Sequence, residues 1–388
     1  MNASSPALTG ASQGRVTADG GPDMIQLLTP EGERINSAPE EYVAIVEALT
    51  DDQLRGFYRD LVMVRRFDAE ATALQRQGEL GLWASLLGQE AAQVGSGRAL
   101  RSQDYAFPTY REHGVAWCRG VDPVNLMGMF RGVNHGGWDP NEKNFHLYTI
   151  IIGAQTLHAT GYAMGVQRDG AVGNGDPERD TAVIAYFGDG ATSQGDVSEA
   201  LVFAGVNNSP VVFFCQNNQW AISEPNEKQS RVPLFHRARG FGFPGLRVDG
   251  NDVLAVYAAT TVALDAARAG RGPSFIEAFT YRMGAHTTSD DPTKYRMSAE
   301  VERWKLRDPI ERLKAWLAHL GKADSAFFAQ VAAEADELGA DVRARCLALQ
   351  DPVGTDMFEH VYGAPHPVMA AERAAFAAYE SSFDGSHA

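Results

Sequence analysis

The sequence predicts an α/β protein with a doubly wound, mostly parallel sheet, helices on both faces and a helical C-terminal extension. Three apolar runs carry this prediction: residues 182–187, 211–215 and 274–280 are short, rich in β-branched or aromatic side chains, and end in polar turns. Helical patterns at residues 195–206 and 253–269 separate them. The alternation of strands and helices is typical of a parallel sheet.

The flanking segments are predicted to be extended or helical. After an extended piece around residues 26–34, Thr50 resembles an N-cap ahead of a long amphipathic helix at residues 54–77. Asp308, which precedes a proline, marks another helix start. We therefore expect a flexible or extended arm at residues 1–45, a core domain at residues 46–310 and a helical extension at residues 311–388.

Composition excludes several classes of function. The 388 residues carry a formal net charge of −15, so the bulk electrostatic field repels nucleic acids and anionic membranes. The most apolar region, residues 147–166, is interrupted by polar side chains, so no membrane span is expected. The three cysteines form no C-x-x-C pair, and residues 1–24 resemble neither a secretory signal nor a transit peptide. A cytoplasmic protein fits these observations best.

Chemistry is expected where the first predicted strand ends, in the sequence Gly188-Asp189-Gly190-Ala191. Glycines let backbone amides approach a phosphate, and the helix N-terminus behind them favours negative charge, although glycines after strands are common in α/β proteins. Asp189 would repel a polyphosphate unless a cation lay between them, which indicates magnesium or calcium with oxygen ligands. The pattern therefore predicts a metal-bridged diphosphate.

Asn217 and Asn218 extend this site from the next predicted strand. The interval from Asp189 to Asn218 has the length of one strand-helix-strand crossover, so both residues are expected at the carboxyl ends of adjacent parallel strands. A polar turn after a buried strand is the alternative interpretation of the two asparagines taken alone. Their distance from Asp189 favours a shared metal site.

Several motifs together resemble a known family. The Gly-Asp-Gly and Asn-Asn pair is similar to the thiamine diphosphate fingerprint. Residues 88–91 (Gly-Gln-Glu-Ala), residues 107–111 (Phe-Pro-Thr-Tyr-Arg) and the segment from residue 281 to 292 resemble the alpha subunits of heterotetrameric branched-chain 2-oxo acid and pyruvate dehydrogenases. The resemblance covers about residues 45–365 and implies the thiamine diphosphate-binding fold.

The resemblance implies two cofactors, thiamine diphosphate and magnesium, and residues for each. The implied metal ligands are Asp189, the Asn218 side chain and the Trp220 backbone carbonyl. A diphosphate carries about three negative charges and needs cations and amides in order to leave water. The implied cofactor-binding residues are Tyr110, Arg111, Ile152, Gly188, Gly190, Ala191, Arg282 and His286.

His286 is the residue that the resemblance implies for catalysis, in the transfer of the acyl group to lipoamide. A histidine beyond a strand end can exchange protons near neutral pH, although a lone loop histidine is usually structural. Ala154 stands where some relatives have a hydroxyl ligand for potassium, so potassium is not expected. Gln216 stands where the animal branched-chain enzyme has a phosphate-binding arginine, which puts cofactor affinity in doubt.

The expected substrate is a small 2-oxo acid bound beside Leu82, Trp83 and His113. Relatives often place Phe where this chain has Leu82, and the missing ring leaves room beside the acyl chain. Each extra buried methylene is worth about 0.8 kcal/mol, which favours branched acids such as 2-oxoisovalerate. Pyruvate is the alternative.

Partners are also implied by the resemblance. The family takes the carboxylate that activates the cofactor from a beta subunit, so we expect an α2β2 assembly and a lipoyl-bearing acyltransferase core as acceptor. A nicotinamide-dependent dehydrogenase would need G-x-G-x-x-G, a spacing that residues 188–195 lack. A structural subunit that lost its site is disfavoured because Asp189, Asn218 and His286 are present.

Overall fold

A six-stranded parallel sheet lies at the centre of the computed structural model, which describes residues 23–383. The strands are β1 Met24–Ile25, β2 Tyr105–Phe107, β3 Val183–Gly188, β4 Val211–Asn217, β5 Trp220–Ala221, β6 Glu224–Pro225, β7 Gly245–Asp249 and β8 Ser274–Phe279. The sheet order is β1-β7-β8-β4-β3-β2, whereas β5 and β6 form a separate antiparallel pair.

Helices precede, separate and follow the strands. Their bounds are α1 Glu40–Glu47, α2 Asp51–Arg76, α3 Glu90–Ala99, α4 His113–Cys118, α5 Pro123–Arg131, α6 Pro140–Lys143, α7 Ala154–Arg168, α8 Gly195–Asn207, α9 Asn226–Gln229, α10 Arg237–Gly240, α11 Val253–Arg268, α12 Ser298–Lys305, α13 Pro309–His319, α14 Ser325–Leu347 and α15 Pro367–Ser381. Within the described residues, no helix is both long and apolar enough to cross a membrane.

The predicted core elements are confirmed. The three predicted strands are β8, β4 and β3, which are neighbours in the sheet, and the two predicted helices between them are α8 and α11. The long N-terminal helix is α2, and Thr50 caps it. The Thr50 side chain accepts a hydrogen bond from the Gln53 backbone N–H at 3.2 Å, and the Gln53 side chain accepts one from Thr50 in return.

Alternate residues of each central strand enter two different cores, which is the property of a doubly wound sheet. On β3, Ile184 and Tyr186 pack into the core that contains α2, α3 and α11. Ala185 and Phe187 pack into the core that contains α7 and α8. Both faces of the sheet are therefore covered, as a parallel sheet requires. The predicted fold class is confirmed.

Strand β7 was not predicted, because its five residues do not form an apolar run. Arg247 lies in the middle of the strand and is 2% exposed. Its guanidinium lies 3.3 Å from the Glu277 carboxylate of β8 and 4.0 Å from the centre of the Phe279 ring. A buried ion pair across two strands takes the place of apolar contacts here, and a hydrophobic pattern does not reveal such a pair.

The two predicted extensions are more closely joined to the core than the sequence indicated. Residues 1–22 of the predicted arm and residues 384–388 lie outside the described residues. Met24 and Ile25 pair with β7, and α1 begins at residue 40, inside the predicted arm. Leu317 of α13 and Val342 of α14 lie in the same core as α2. The domain boundaries stay predictions.

Strand register brings the predicted chemical residues to one edge of the sheet. Gly188 at the end of β3 pairs with Gln216 on β4, and Asn217 pairs with Phe279 at the end of β8. The Arg282 backbone N–H donates to the Asn218 carbonyl at 3.2 Å, which continues this alignment beyond the strands. Three consecutive strand ends thus deliver side chains to a common place.

Candidate active site

A cavity of about 460 Å³ opens at this edge of the sheet. Its walls come from the ends of β3 and β4, from the β5–β6 hairpin and from loops that precede α3, α4, α7 and the segment after β8. The lining residues are Leu82, Gln89, Thr109, Tyr110, Arg111, Glu112, Phe130, Ile150, Ile152, Gly153, Gly188, Asp189, Gly190, Ala191, Gln216, Asn218, Trp220, Ala221, Ile222, His286 and Thr287.

Most of the predicted site residues line this cavity, and three do not. Arg282 is fully buried behind the wall, with Nη1 3.5 Å from Nδ1 of His286. Trp83 and His113 were predicted in the substrate pocket, but both are fully buried and absent from the lining. The His113 ring stacks on Trp83 and hydrogen-bonds to the Tyr148 hydroxyl at 2.7 Å and the Ala84 carbonyl at 2.9 Å. These two rings support the pocket wall from behind.

Two guanidinium groups beside the cavity are buried without a carboxylate within ion-pair distance in the described part of the chain. Arg111 is 6% exposed, and its Nη2 donates to the His286 carbonyl at 2.7 Å. Arg282 donates to the carbonyls of Trp220 at 2.8 Å and Ile222 at 2.7 Å. Burial and the nearby Arg111 lower the pKa of Arg282. The Arg282 guanidinium reaches a carboxylate only indirectly, because it donates to the Tyr295 hydroxyl at 2.9 Å and that hydroxyl donates to Asp290. Among the described residues, neither guanidinium therefore has a carboxylate in direct contact to offset its charge.

Other buried arginines show what is missing here. Arg247, Arg268 and Arg312 each lie within ion-pair distance of a buried carboxylate, on Glu277, Asp104 and Asp249 respectively. A buried charge is normally paired, because taking it out of water costs several kcal/mol. The contrast indicates that the counter-charge for Arg111 and Arg282 comes from an anion bound in the cavity.

Asp189 has the opposite imbalance. Its carboxylate is 1% exposed and accepts a hydrogen bond from the Gln229 side chain at 3.3 Å, but no Lys, Arg or His within 23–383 forms an ion pair with it. Burial raises its pKa to about 6, with opposing contributions from neighbouring donors and Arg282. A divalent cation at this position would compensate the carboxylate and favour its ionised form.

The other predicted metal ligands supply neutral oxygen atoms, and their residues line the same cavity as Asp189. The Nδ2 of Asn218 donates to the Gln89 side chain at 2.9 Å, which leaves its Oδ1 as the atom that can face a cation; that oxygen accepts from the Trp220 N–H at 3.2 Å. One carboxylate, one amide and one carbonyl form a hard donor set that suits magnesium. Among the described residues, no cluster of three or more His, Cys, Asp or Glu side chains could hold a metal. The fit of magnesium to this site therefore depends on the oxygen atoms of Asp189, Asn218 and Trp220.

Gly190 lets the backbone approach the hairpin that carries Trp220. A Cβ added at Gly190 would lie 2.7 Å from the Cβ of Ala221, whereas a Cβ at Gly188 would meet nothing within 4 Å. Packing against Ala221 therefore requires a glycine at Gly190, whereas Gly188 leaves open space above the strand end. Such a floor of exposed backbone fits a phosphate group.

His286 is held by both arginines in a defined tautomer. Arg111 Nη2 lies 3.3 Å and Arg282 Nη1 3.5 Å from Nδ1, and a guanidinium can only donate. The proton of the neutral ring therefore resides on Nε2, which lies 3.4 Å from the Tyr110 hydroxyl. Burial and the two positive charges lower the pKa of His286 from 6.5 to about 3. The expectation of titration near neutral pH is wrong for the protein without a bound anion.

The sequence did not single out several polar groups of the cavity. Glu112 is buried and accepts hydrogen bonds from Thr109 and from the Gln216 side chain, the latter at 2.6 Å. Burial raises the pKa of Glu112. Gln93 donates to Gln216 at 3.1 Å and closes the network. Glu112 directly follows the Tyr110-Arg111 motif, and this adjacency was the available signal.

Comparisons with known proteins agree with this site. A model of the family described as dehydrogenase E1 component matches residues 58–344. The chain belongs to this family of oxidoreductases, and the predicted family is confirmed.

The relatives include both predicted kinds of enzyme. The chain is 44% identical over 350 residues to the 3-methyl-2-oxobutanoate dehydrogenase subunit alpha of Mycobacterium tuberculosis, covering 90% of this chain and 92% of the relative. It is 39% identical to the pyruvate dehydrogenase E1 component subunit alpha of Bacillus subtilis over 298 residues, 76% of each chain. The same subunit of Staphylococcus aureus is 39% identical over 301 residues, 77% of this chain and 78% of the relative.

Inorganic pyrophosphate with magnesium should raise the Tm of the cofactor-free protein by several degrees, because a ligand that binds only the folded state stabilises it. Arg111→Met should weaken this binding by roughly 10- to 100-fold, the effect of losing one charge-assisted contact, and remove most of the rise. Arg268→Met, which removes a guanidinium paired with Asp104, should lower the starting Tm and keep the rise. An undiminished rise in Arg111→Met would contradict the anion site.

His286 should stay neutral down to about pH 5 in the empty protein, because its pKa is lowered to about 3. As pH falls, His286 becomes protonated in the unfolded chain before it does so in the folded protein. Its contribution to the free energy of unfolding is therefore constant above pH 6.5 and decreases as pH drops from about 6.5 towards 3. Bound pyrophosphate should raise the pKa by offsetting the two arginines. Imidazole NMR titration of wild type and His286→Gln assigns the signal, and an ordinary pKa in the empty protein would disprove this electrostatic account.

Proposed function

We propose that this chain is the alpha subunit of a thiamine-diphosphate-dependent dehydrogenase that decarboxylates a branched-chain 2-oxo acid and transfers the acyl group to lipoamide. One observation carries the proposal: two guanidinium groups and one carboxylate that form no ion pair within residues 23–383 are buried around a single cavity. A diphosphate together with a divalent cation compensates all three charges.

The cofactor would be held by residues from separate segments. Tyr110 and Arg111 would contact the diphosphate, as would the backbone at residues 188–191, and Arg282 would add positive charge from behind the cavity wall. Asp189, Asn218 and the Trp220 carbonyl would hold magnesium. The Trp220 carbonyl accepts from Arg282 at 2.8 Å, so metal binding requires this oxygen to serve both cations or the guanidinium to move towards the phosphates.

When bound, thiamine diphosphate supplies the carbanion chemistry of decarboxylation. His286 would move a proton at Nε2, the ring atom that faces the cavity beside Tyr110. Arg111 fixes this ring through Nδ1 and through the His286 carbonyl. An anion that reduces the field of the two arginines brings the pKa of His286 closer to neutral pH, where proton exchange is efficient. Leu82 and Ile152 provide apolar walls that limit water.

A beta subunit is part of the proposal because this cavity offers no free carboxylate for activating the cofactor. Of its two acidic lining residues, Asp189 is assigned to the metal, and Glu112 is hydrogen-bonded to Thr109 and Gln216. Apolar side chains beside the cavity mouth also favour a partner: Ile151 is 74% and Ile222 54% exposed. We propose an α2β2 assembly in the cytoplasm, serving a lipoyl-bearing acyltransferase core.

The wall of the cavity and the relatives both favour a branched substrate. Leu82 lines the cavity together with apolar residues that include Phe130 and Ile152. The relative with 44% identity is named for 3-methyl-2-oxobutanoate, and the relatives with 39% identity are named for pyruvate. Pyruvate is therefore the second candidate. The family match disfavours a nicotinamide-dependent dehydrogenase, and the retained site residues disfavour an inactive structural subunit.

The chain mixed with its beta subunit should oxidise 2-oxoisovalerate with a higher kcat/KM than pyruvate, whereas the chain alone should be inactive. Leu82→Phe should lower the ratio of the two kcat/KM values by about tenfold, because a ring fills the space for the branched methyl groups. Leu82→Met, of similar volume, is the control and should keep the ratio. A clear preference of the wild type for pyruvate would overturn the substrate and leave the cofactor site standing.

A further inference from the structure

Asp68 of α2 is a buried carboxylate outside the cavity. It is 3% exposed, and no Lys, Arg or His of residues 23–383 forms an ion pair with it. Instead it accepts three hydrogen bonds from one short segment: from Nε1 of Trp83 at 2.9 Å, from Oγ of Ser85 at 2.6 Å and from the Leu86 backbone N–H at 3.0 Å. A single side chain thus fixes the segment from residue 82 to 86 at three points.

The fixed segment reaches the active site in two further directions. The Ser85 carbonyl accepts a hydrogen bond from Nη1 of Arg111. The backbone of Trp83 forms two hydrogen bonds with Thr288: its N–H donates to Oγ1 at 3.0 Å, and its carbonyl accepts from the Thr288 N–H at 2.9 Å. Leu82 of the same segment lines the cavity. The substrate wall, one anion-binding arginine and the histidine loop therefore all rest on a segment that Asp68 holds.

We propose that Asp68 is a positioning residue that sets the relative placement of Leu82, Arg111 and the loop of His286. It touches neither cofactor nor substrate in this assignment and acts through the segment from residue 82 to 86. The part that concerns substrate preference rests on the proposed function, whereas the part that concerns the histidine loop does not.

The chemistry of the three contacts explains why a side chain that accepts hydrogen bonds stands here. An indole N–H, a hydroxyl and a backbone N–H are all donors, and an ionised carboxylate only accepts. A buried charge without a cation costs folding free energy, so stability alone does not favour Asp at this position. Asn has the same shape without the charge. Its Oδ1 can accept from Trp83 and Leu86 while its Nδ2 donates to the Ser85 hydroxyl, so it should substitute.

Asp60 on the same helix provides a matched control. Its carboxylate accepts from the Nε1 of Trp117 at 2.9 Å and pairs with Arg98 at 2.6 Å. Neither Trp117 nor Arg98 lines the cavity. Loss of Asp60 therefore removes a tryptophan contact of the same kind without disturbing the segment from residue 82 to 86.

Hydrogen exchange by mass spectrometry on the full chain tests the positioning directly, with or without the beta subunit. In Asp68→Leu, peptides that cover residues 284–296 should exchange roughly tenfold faster or more, because the Thr288 amide loses its fixed acceptor. Asp68→Asn and Asp60→Leu should stay within about twofold of wild type there. Wild-type protection in Asp68→Leu, or equal loss in Asp60→Leu, would overturn the proposal.

Steady-state kinetics of the assembled enzyme test the consequence for substrate. Asp68→Leu should raise KM for 2-oxoisovalerate more than it lowers kcat and should reduce the preference over pyruvate, with Asp68→Asn restoring both.

If Asp68→Leu does not fold, Thr288→Val removes one of the two contacts to Trp83 and should accelerate exchange in the same peptides. Unchanged exchange in a folded Thr288→Val would also overturn the proposal. If the wild-type assembly is inactive but the variants show the predicted changes in exchange, the proposed function alone is refuted.

Discussion

Charge buried without a partner is the constraint on which the functional edge of this protein depends. Within residues 23–383, Arg111 and Arg282 form no ion pair with a carboxylate and Asp189 forms none with a cation, although paired arginines elsewhere show that the fold can neutralise such groups. The two imbalances have opposite signs and share one cavity. The large apolar cores on both faces of the sheet offset the free-energy cost of burying these charges without ion-pair partners. In the proposed function, ligand binding completes the electrostatics of the site.

The parallel sheet makes this arrangement possible. Strands that run in one direction end at one edge, so residues far apart in sequence meet there without long loops. Asp189 follows β3, Asn218 follows β4 and Arg282 follows β8, and the three strands are neighbours. Side chains on loops then complete the cavity around a rigid floor. The same geometry explains why the positive charges also act on His286: Arg111 and Arg282 fix its tautomer, and burial together with these two charges lowers its pKa.

Sequence patterns predicted those parts of the structure that depend on local order. Apolar runs located three strands, the interval between Asp189 and Asn218 located their meeting point, and motifs identified the family. Contacts between distant segments were not predictable. The ion pair of Arg247 concealed a strand, and the burial of Trp83 and His113 removed both from the cavity. The pKa of His286 depends on burial and on two charges that only the folded chain brings together, and a sequence does not state these distances.

Thiamine diphosphate affinity measured by calorimetry in the assembled enzyme, with magnesium and then with a chelator, tests the central claim most directly. If a cation links Asp189 to the diphosphate, removal of magnesium should weaken binding by roughly 100-fold or more, and Asp189→Asn should lose most of the dependence on magnesium. Full affinity in the chelator, or an unchanged magnesium dependence in Asp189→Asn, would contradict the account of a cavity whose opposite charges are completed by a metal-bound anion.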